Sequence, residues 1–222
     1  MSATFQEELS EELLLCLAHT PQDLREALRI FFELDMRLGR IVGGTTEPML
    51  GQMRLAWWRE TLNQPQAERP RGDKVMDGIG LHWQKREAVL VGLVDAWEHV
   101  LGEAALTEEN SRAFLRGRSE ALVRVFQKVS VENSDKTALG EPAWNWAVAD
   151  FASKVLSPKE REMLVEIGLS HSKDEAQRVG KGARGLAVLG ALGLRSLSKG
   201  ARPLLEGRGA SLVAMRAAIF GR

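Results

Sequence analysis

Few acids and bases in this chain of 222 residues fall into patterns that could do chemistry. "DKVMD" is its only D-x-x-x-D. At that spacing Asp73 and Asp77 could share a Mg²⁺, with phosphate oxygens completing the octahedron. Asp73, however, closes a polar loop, and Gly78 and Gly80 follow. The segment therefore reads as a helix N-cap with one exposed acid. In "DAWEHV", Asp95 pairs with Glu98 or His99 on one helix face, a geometry open to acid–base work. An amphipathic helix edge around a half-buried Trp97 accounts for the same pattern. "ELDMRLGR" carries Glu33, Asp35, Arg37 and Arg40. Glu33 and Arg37 make an i, i+4 pair worth about 0.2–0.5 kcal/mol, as expected of a solvated face.

"EPMLGQMRLAWWRE" (47–60) poses a different problem. On a helix, Met49, Leu50, Met53 and Trp57 form one apolar arc, and Leu55, Trp58 and Leu62 form another nearly opposite. Arg54 lies in the gap. A helix apolar on two sides belongs inside a bundle, where a partly buried guanidinium needs a carboxylate, a phosphate or water. Glu47, two turns earlier on the same side and about 10 Å away along the axis, is the candidate partner. A ligand facing Arg54, Trp57 and Trp58 is the alternative.

Other chemistries fail on residue type. The motifs G-x-S-x-G and G-x-x-x-x-G-K-[ST] are absent. "GKGARG" (180–185) is glycine-rich and basic, but no strand precedes it, so it reads as a loose segment within or before a helix. His19, His82, His99 and His171 have no metal-ligand spacing, and Cys16 is the single cysteine. That rules out an internal disulfide and points to a reducing compartment. Thirty Lys and Arg balance thirty Asp and Glu, against the basic excess of a nucleic-acid binder. The longest apolar run is the ten residues "GLAVLGALGL", about half of the ~20 that span a bilayer. The N-terminus is acidic, unlike a signal peptide. A cytoplasmic protein with at most peripheral membrane contact is expected.

The elements that must position these residues are helical. Apolar residues recur at three and four, and alternating β-branched runs are missing. Helices are expected over 8–19, from Pro21 to Gly43 with Thr20 as cap, and from Glu47 after a Thr46 cap. Further helices are expected over 74–83, 85–101, from Thr107 to about 129, 143–156, 158–170 and 174–197, with a short one at the end. The polar stretches 63–73 and 131–142 read as loops, the second as the best boundary if there were two domains. "AWNWAVAD" (143–150) reads as core packing. The fold class expected is all-α, a single helical bundle of eight or nine helices spanning 1–222.

On these residues the chain resembles the squalene/phytoene synthase family. "EPMLGQMRLAWWRE" is similar to the segment that follows the first active-site helix there. "LVDAWEHVL" (93–101) and "ARPLLEGRGASLVAMRAAIFGR" (201–222) resemble a mid-chain helix and the C-terminal helix of its bacterial members. The resemblance implies the isoprenoid (terpenoid) synthase fold. It also implies head-to-head condensation of prenyl diphosphates on Mg²⁺ held by two aspartate-rich motifs on facing helices. This chain departs from that pattern at the motifs. The first would fall on "ELDMRLGRIVGGTTEP", where Asp35 is the only aspartate. The second would fall on "AWNWAVADFASKV", where Asn145 and Asp150 remain. The family's tyrosine–cysteine motif is missing too. The expectation is a degenerate relative that needs no cofactor and binds an isoprenoid or lipid. A protein partner is the other role, as for the family's noncatalytic respiratory complex I assembly factor. The alternative is an active prenyltransferase, with Mg²⁺ and with Asp35, Glu47 and Asp95 in place of the usual acids.

Overall fold

The second helix shows how the sequence sets this architecture. Leu24, Ala27, Leu28, Phe31, Leu34 and Leu38 recur at three and four and are all buried. They make one apolar stripe, which only packing against other helices can satisfy. The computed structural model describes residues 8–44, 47–102, 105–127, 135–171 and 178–221, with backbone alone for 135–137. Those residues form ten α-helices: α1 (Glu11–Ala18), α2 (Gln22–Gly43), α3 (Pro48–Asn63), α4 (Lys74–His82), α5 (Glu87–Glu98), α6 (Glu108–Phe126), α7 (Asp135–Lys154), α8 (Pro158–His171), α9 (Arg184–Leu197) and α10 (Ala210–Phe220). No strand occurs among the described residues. The all-α expectation therefore holds; the ten helices correspond in order to the ten helical segments expected, one or two more than the eight or nine of the expected bundle.

Local chemistry sets some of the ends. The Asp73 carboxylate accepts from the Val75 and Met76 amides at 3.0 and 2.9 Å, capping α4 as expected. The Thr107 hydroxyl accepts from the Asn110 amide and starts α6. Thr20 behaves differently. Its hydroxyl donates back to the Cys16 carbonyl at 2.8 Å, and Pro21 holds the cap position of α2. The expected Thr46 cap lies outside the described residues, and Glu47 occupies the N-cap position of α3.

The largest departure is α7. It runs through Pro142 from Asp135, so the latter part of the expected loop 131–142 is helical. Proline inside a helix removes one backbone bond and crowds the preceding turn. Tertiary packing outweighs that here. Gly190 of α9 lies directly against Pro142, and Gly193 sits on the backbone of Asn145 and Trp146, where an added Cβ would collide. The missing side chains let α7 and α9 approach closely. Helix α9 also starts later than expected, at Arg184, after a short 3₁₀ turn over Lys181–Ala183.

Helix α3 corrects a second expectation. It buries Gly51, Leu55, Trp58, Thr61 and Leu62 against α5 and α2. The arc of Met49, Leu50, Met53 and Trp57 faces outward, with Met49 72% exposed and Met53 63%. So α3 is a peripheral helix with an unusually apolar outer face, and Arg54 is exposed rather than held inside the bundle.

Candidate functional site

At the centre of the bundle three helices bring charge together. Asp35 of α2 and Asp150 of α7 are 2% and 4% exposed, and Arg118 of α6 lies between them at 2%. The Arg118 Nε donates to both Asp35 oxygens at 3.1 Å, and one terminal nitrogen reaches Asp35 at 2.5 Å and Asp150 at 2.7 Å. The other donates to the Ala147 carbonyl at 3.2 Å. The second Asp150 oxygen accepts from Lys154 Nζ at 2.6 Å, and Trp97 Nε1 donates to Asp35 at 2.9 Å. The guanidinium also lies over the Trp146 ring, 4.3 Å from its centroid. All four carboxylate oxygens are thus engaged by a cation, and one of them by an indole N–H as well.

The helical repeat explains this convergence. In α6 the residues Phe114, Leu115, Arg118, Ala121, Leu122 and Val125 form one buried stripe, so a charged residue occupies a core position. Burial alone would lower the Arg118 pKa. The charges of Asp35 and Asp150 more than offset that, and it lies above the ordinary arginine value. For Asp150, burial pushes upward, while Arg118 and Lys154 together pull harder the other way and hold it below the usual carboxylate value.

Beside this cluster lies an apolar cavity of about 390 Å³. It is lined by Leu13, Met36, Val42, Trp97, Phe151 and Val155, among others, with Asp35, Arg118 and Asp150 also in its wall. Exposed Arg40, Gly43 and Lys154 line it as well and mark where it meets solvent. Phe31, Phe32, Trp97, Phe114 and Trp146 fill the rest of the bundle centre, Phe32 packing edge-on against Trp146 with centroids 5.6 Å apart.

The other candidates lie apart from it. Arg54, Trp57 and Trp58 line a separate groove of about 590 Å³ between α2, α3 and α4, with Arg37, Met53 and Met76. The C-terminal half of α2 contributes residues to both hollows. Glu47 is exposed at the start of α3. Asp95 and Glu98 both hold Arg59, at 2.7 and 2.5 Å, and so clamp α5 to α3. Asp73 is likewise taken, by Arg37 at 2.6 Å, and Asp77 accepts from the Gly72 amide. Of Asp35, Glu47 and Asp95, the central cavity contains only Asp35.

Sequence reasoning missed Arg118. The signal was present, because Arg118 falls at i+3 and i+4 from Leu115 and Phe114 on an otherwise apolar stripe. Asn145, named in the sequence together with Asp150, is buried, and its side-chain oxygen has no hydrogen-bond partner among the described residues. Comparison with family models, curated proteins and solved structures finds no match to this chain.

Proposed function

We propose that this chain is a noncatalytic protein of the squalene/phytoene synthase type, which holds the hydrocarbon part of an isoprenoid or similar lipid in the 390 Å³ cavity. In this reading an arginine-bridged ion pair stands where such enzymes keep Mg²⁺ and diphosphate. One observation carries it: Asp35 and Asp150, the aspartates left in the two segments that resemble the aspartate-rich motifs, meet across one buried cation, Arg118. Facing helices of that family's kind would bring these two segments, 115 positions apart in the chain, to one place, and their meeting across Arg118 supports the reading.

Mg²⁺ requires near-octahedral oxygen ligands and usually takes one or two carboxylates plus phosphate. Here every oxygen of the two aspartates is engaged, and a dication would have to displace a guanidinium from both. Among the described residues no group of three or more His, Cys, Asp or Glu could hold a metal. The side chains present do not fit the Mg²⁺–diphosphate centre. The cavity retains what a hydrocarbon needs, an apolar wall with cations at its mouth that suit an anionic or hydroxyl head group.

Titration with farnesol, read by quenching of the tryptophans beside the cavity, tests this reading. Val155→Phe and Met36→Phe, which fill the cavity without adding a tryptophan, are expected to weaken binding at least about tenfold. Binding unchanged in both variants would remove the cavity from the account. Absence of farnesol binding in the unaltered protein would move the role to protein contact.

A further inference from the structure

The last helix is packed inside out. Helix α10 buries Ala210, Ala214 and Ala217 against α9 and leaves its large apolar residues outside. Leu212, Met215, Ile219 and Phe220 are 65%, 56%, 59% and 51% exposed. Spaced at three, four and one, they form one continuous arc, and exposed Arg216 sits within it between Leu212 and Phe220. A helix that only had to close the bundle would bury those four residues and expose the alanines.

The segment of sequence that contains this helix is also uneven in charge. Residues 178–222 contain nine Lys or Arg and one acid, Glu206, in a chain whose total is balanced at thirty each. The one acid is paired with Arg202 at 3.4 Å. Arg208 and Arg216 are exposed and make no ion pair among the described residues.

We propose that α10, with the basic segment around it, is a membrane-contact face that lies on anionic lipid surfaces. Its apolar arc would sit among the acyl chains and its arginines among the phosphates. An interfacial helix needs this combination: large apolar side chains on one side, with cations that reach up to the head groups. A second copy of the chain is a poorer occupant. Four side chains exposed to this degree present on the order of 400–500 Å² of apolar surface, well short of the ~800 Å² per partner in a stable pair. A two-fold contact through α10 would also bring two strongly basic segments together. Nucleic acid would use the charge but leave the apolar arc in water. No helix among the described residues is long and apolar enough to cross a membrane, so the contact is with the surface. The inference does not rest on the cavity, because α10 contributes no residue to it.

The full chain is mixed with vesicles of phosphatidylcholine alone or with about a third phosphatidylglycerol, and the bound fraction is measured by flotation. Binding is expected on the anionic vesicles and to fall steeply with added salt. Each arginine near an anionic surface adds about tenfold or less, so Arg208→Gln with Arg216→Gln should weaken binding by roughly ten- to thirtyfold. Leu212→Ser with Ile219→Ser should abolish it. All four residues are exposed, and circular dichroism checks that each variant keeps its helices.

An Ile219→Cys variant gives a second readout. The native Cys16 thiol is buried and pushed up to about 12, so a thiol-reactive environment-sensitive dye labels the new site selectively. Its emission should shift to the blue with anionic vesicles and remain unchanged with neutral ones. Equal binding to both vesicle types, or unaltered binding by the Leu212→Ser/Ile219→Ser variant, would overturn the proposal. So would a concentration-dependent dimer that this variant abolishes, since the face would then be a contact between copies.

Discussion

Arg118 decides what the centre of this bundle can be. A guanidinium held by two carboxylates is stable inside a protein only while both partners remain, because removing one member leaves an uncompensated buried charge. Arg118→Met should therefore cost about 3–5 kcal/mol, read as a fall in the urea midpoint at unchanged slope. Adding Asp35→Asn and Asp150→Asn to that variant should recover much of the loss; a single-variant cost below about 1 kcal/mol would mean that the cluster is not dry. Asp150 also sets an acid limb. Its pKa lies below the usual carboxylate value, so its contribution is complete above about pH 4 and is lost as the pH falls through the lower folded value. Asp150→Asn should be less stable at pH 7 and show a flatter pH dependence below pH 4, measured by urea unfolding across that range. The two aspartates stand out in the sequence only through the resemblance. Their partner does not stand out, because Arg118 has no motif around it and only its place on the apolar stripe of α6 marks it.

Among the elements, α7 and α9 show where sequence reasoning stops. The periodicity in the second half of α7 is plain, but Pro142 reads locally as a start signal, and only the gap left by Gly190 shows why the helix continues through it. Contact with a residue 48 positions away cannot be read from a local window. Glycines in helices differ in the same way. A Cβ at Gly193 would strike the α7 backbone, whereas one at Gly92, exposed in α5, meets nothing within 4 Å. Gly193→Ala should lower stability by about 1–3 kcal/mol or more through overpacking. Gly92→Ala should raise it by about 0.5–1 kcal/mol by restricting the unfolded chain, and thermal melts of the two variants separate these signs. In α3 the twofold apolar pattern was visible, but the sequence could not say which arc faces in. Leu55, Trp58 and Leu62 do, because α5 and α2 lie on that side.

For the molecule as a whole, the all-α class follows directly from the three-and-four periodicity. The hollows do not, since a cavity is a property of how helices meet. The balanced charge total concealed a division of sign along the chain, with the basic excess gathered in the last fifth of it, which includes α9 and α10. On the reading proposed above, the chain takes up a lipid in its central cavity and leaves the carbon–oxygen bond to diphosphate intact. Incubation with Mg²⁺ and farnesyl diphosphate tests that claim most directly, with diphosphate release and binding followed in the same sample. Binding of equal strength is expected with Mg²⁺ or with a chelator, and no release above a control without protein. Diphosphate release above that control, or binding that requires Mg²⁺, would contradict it.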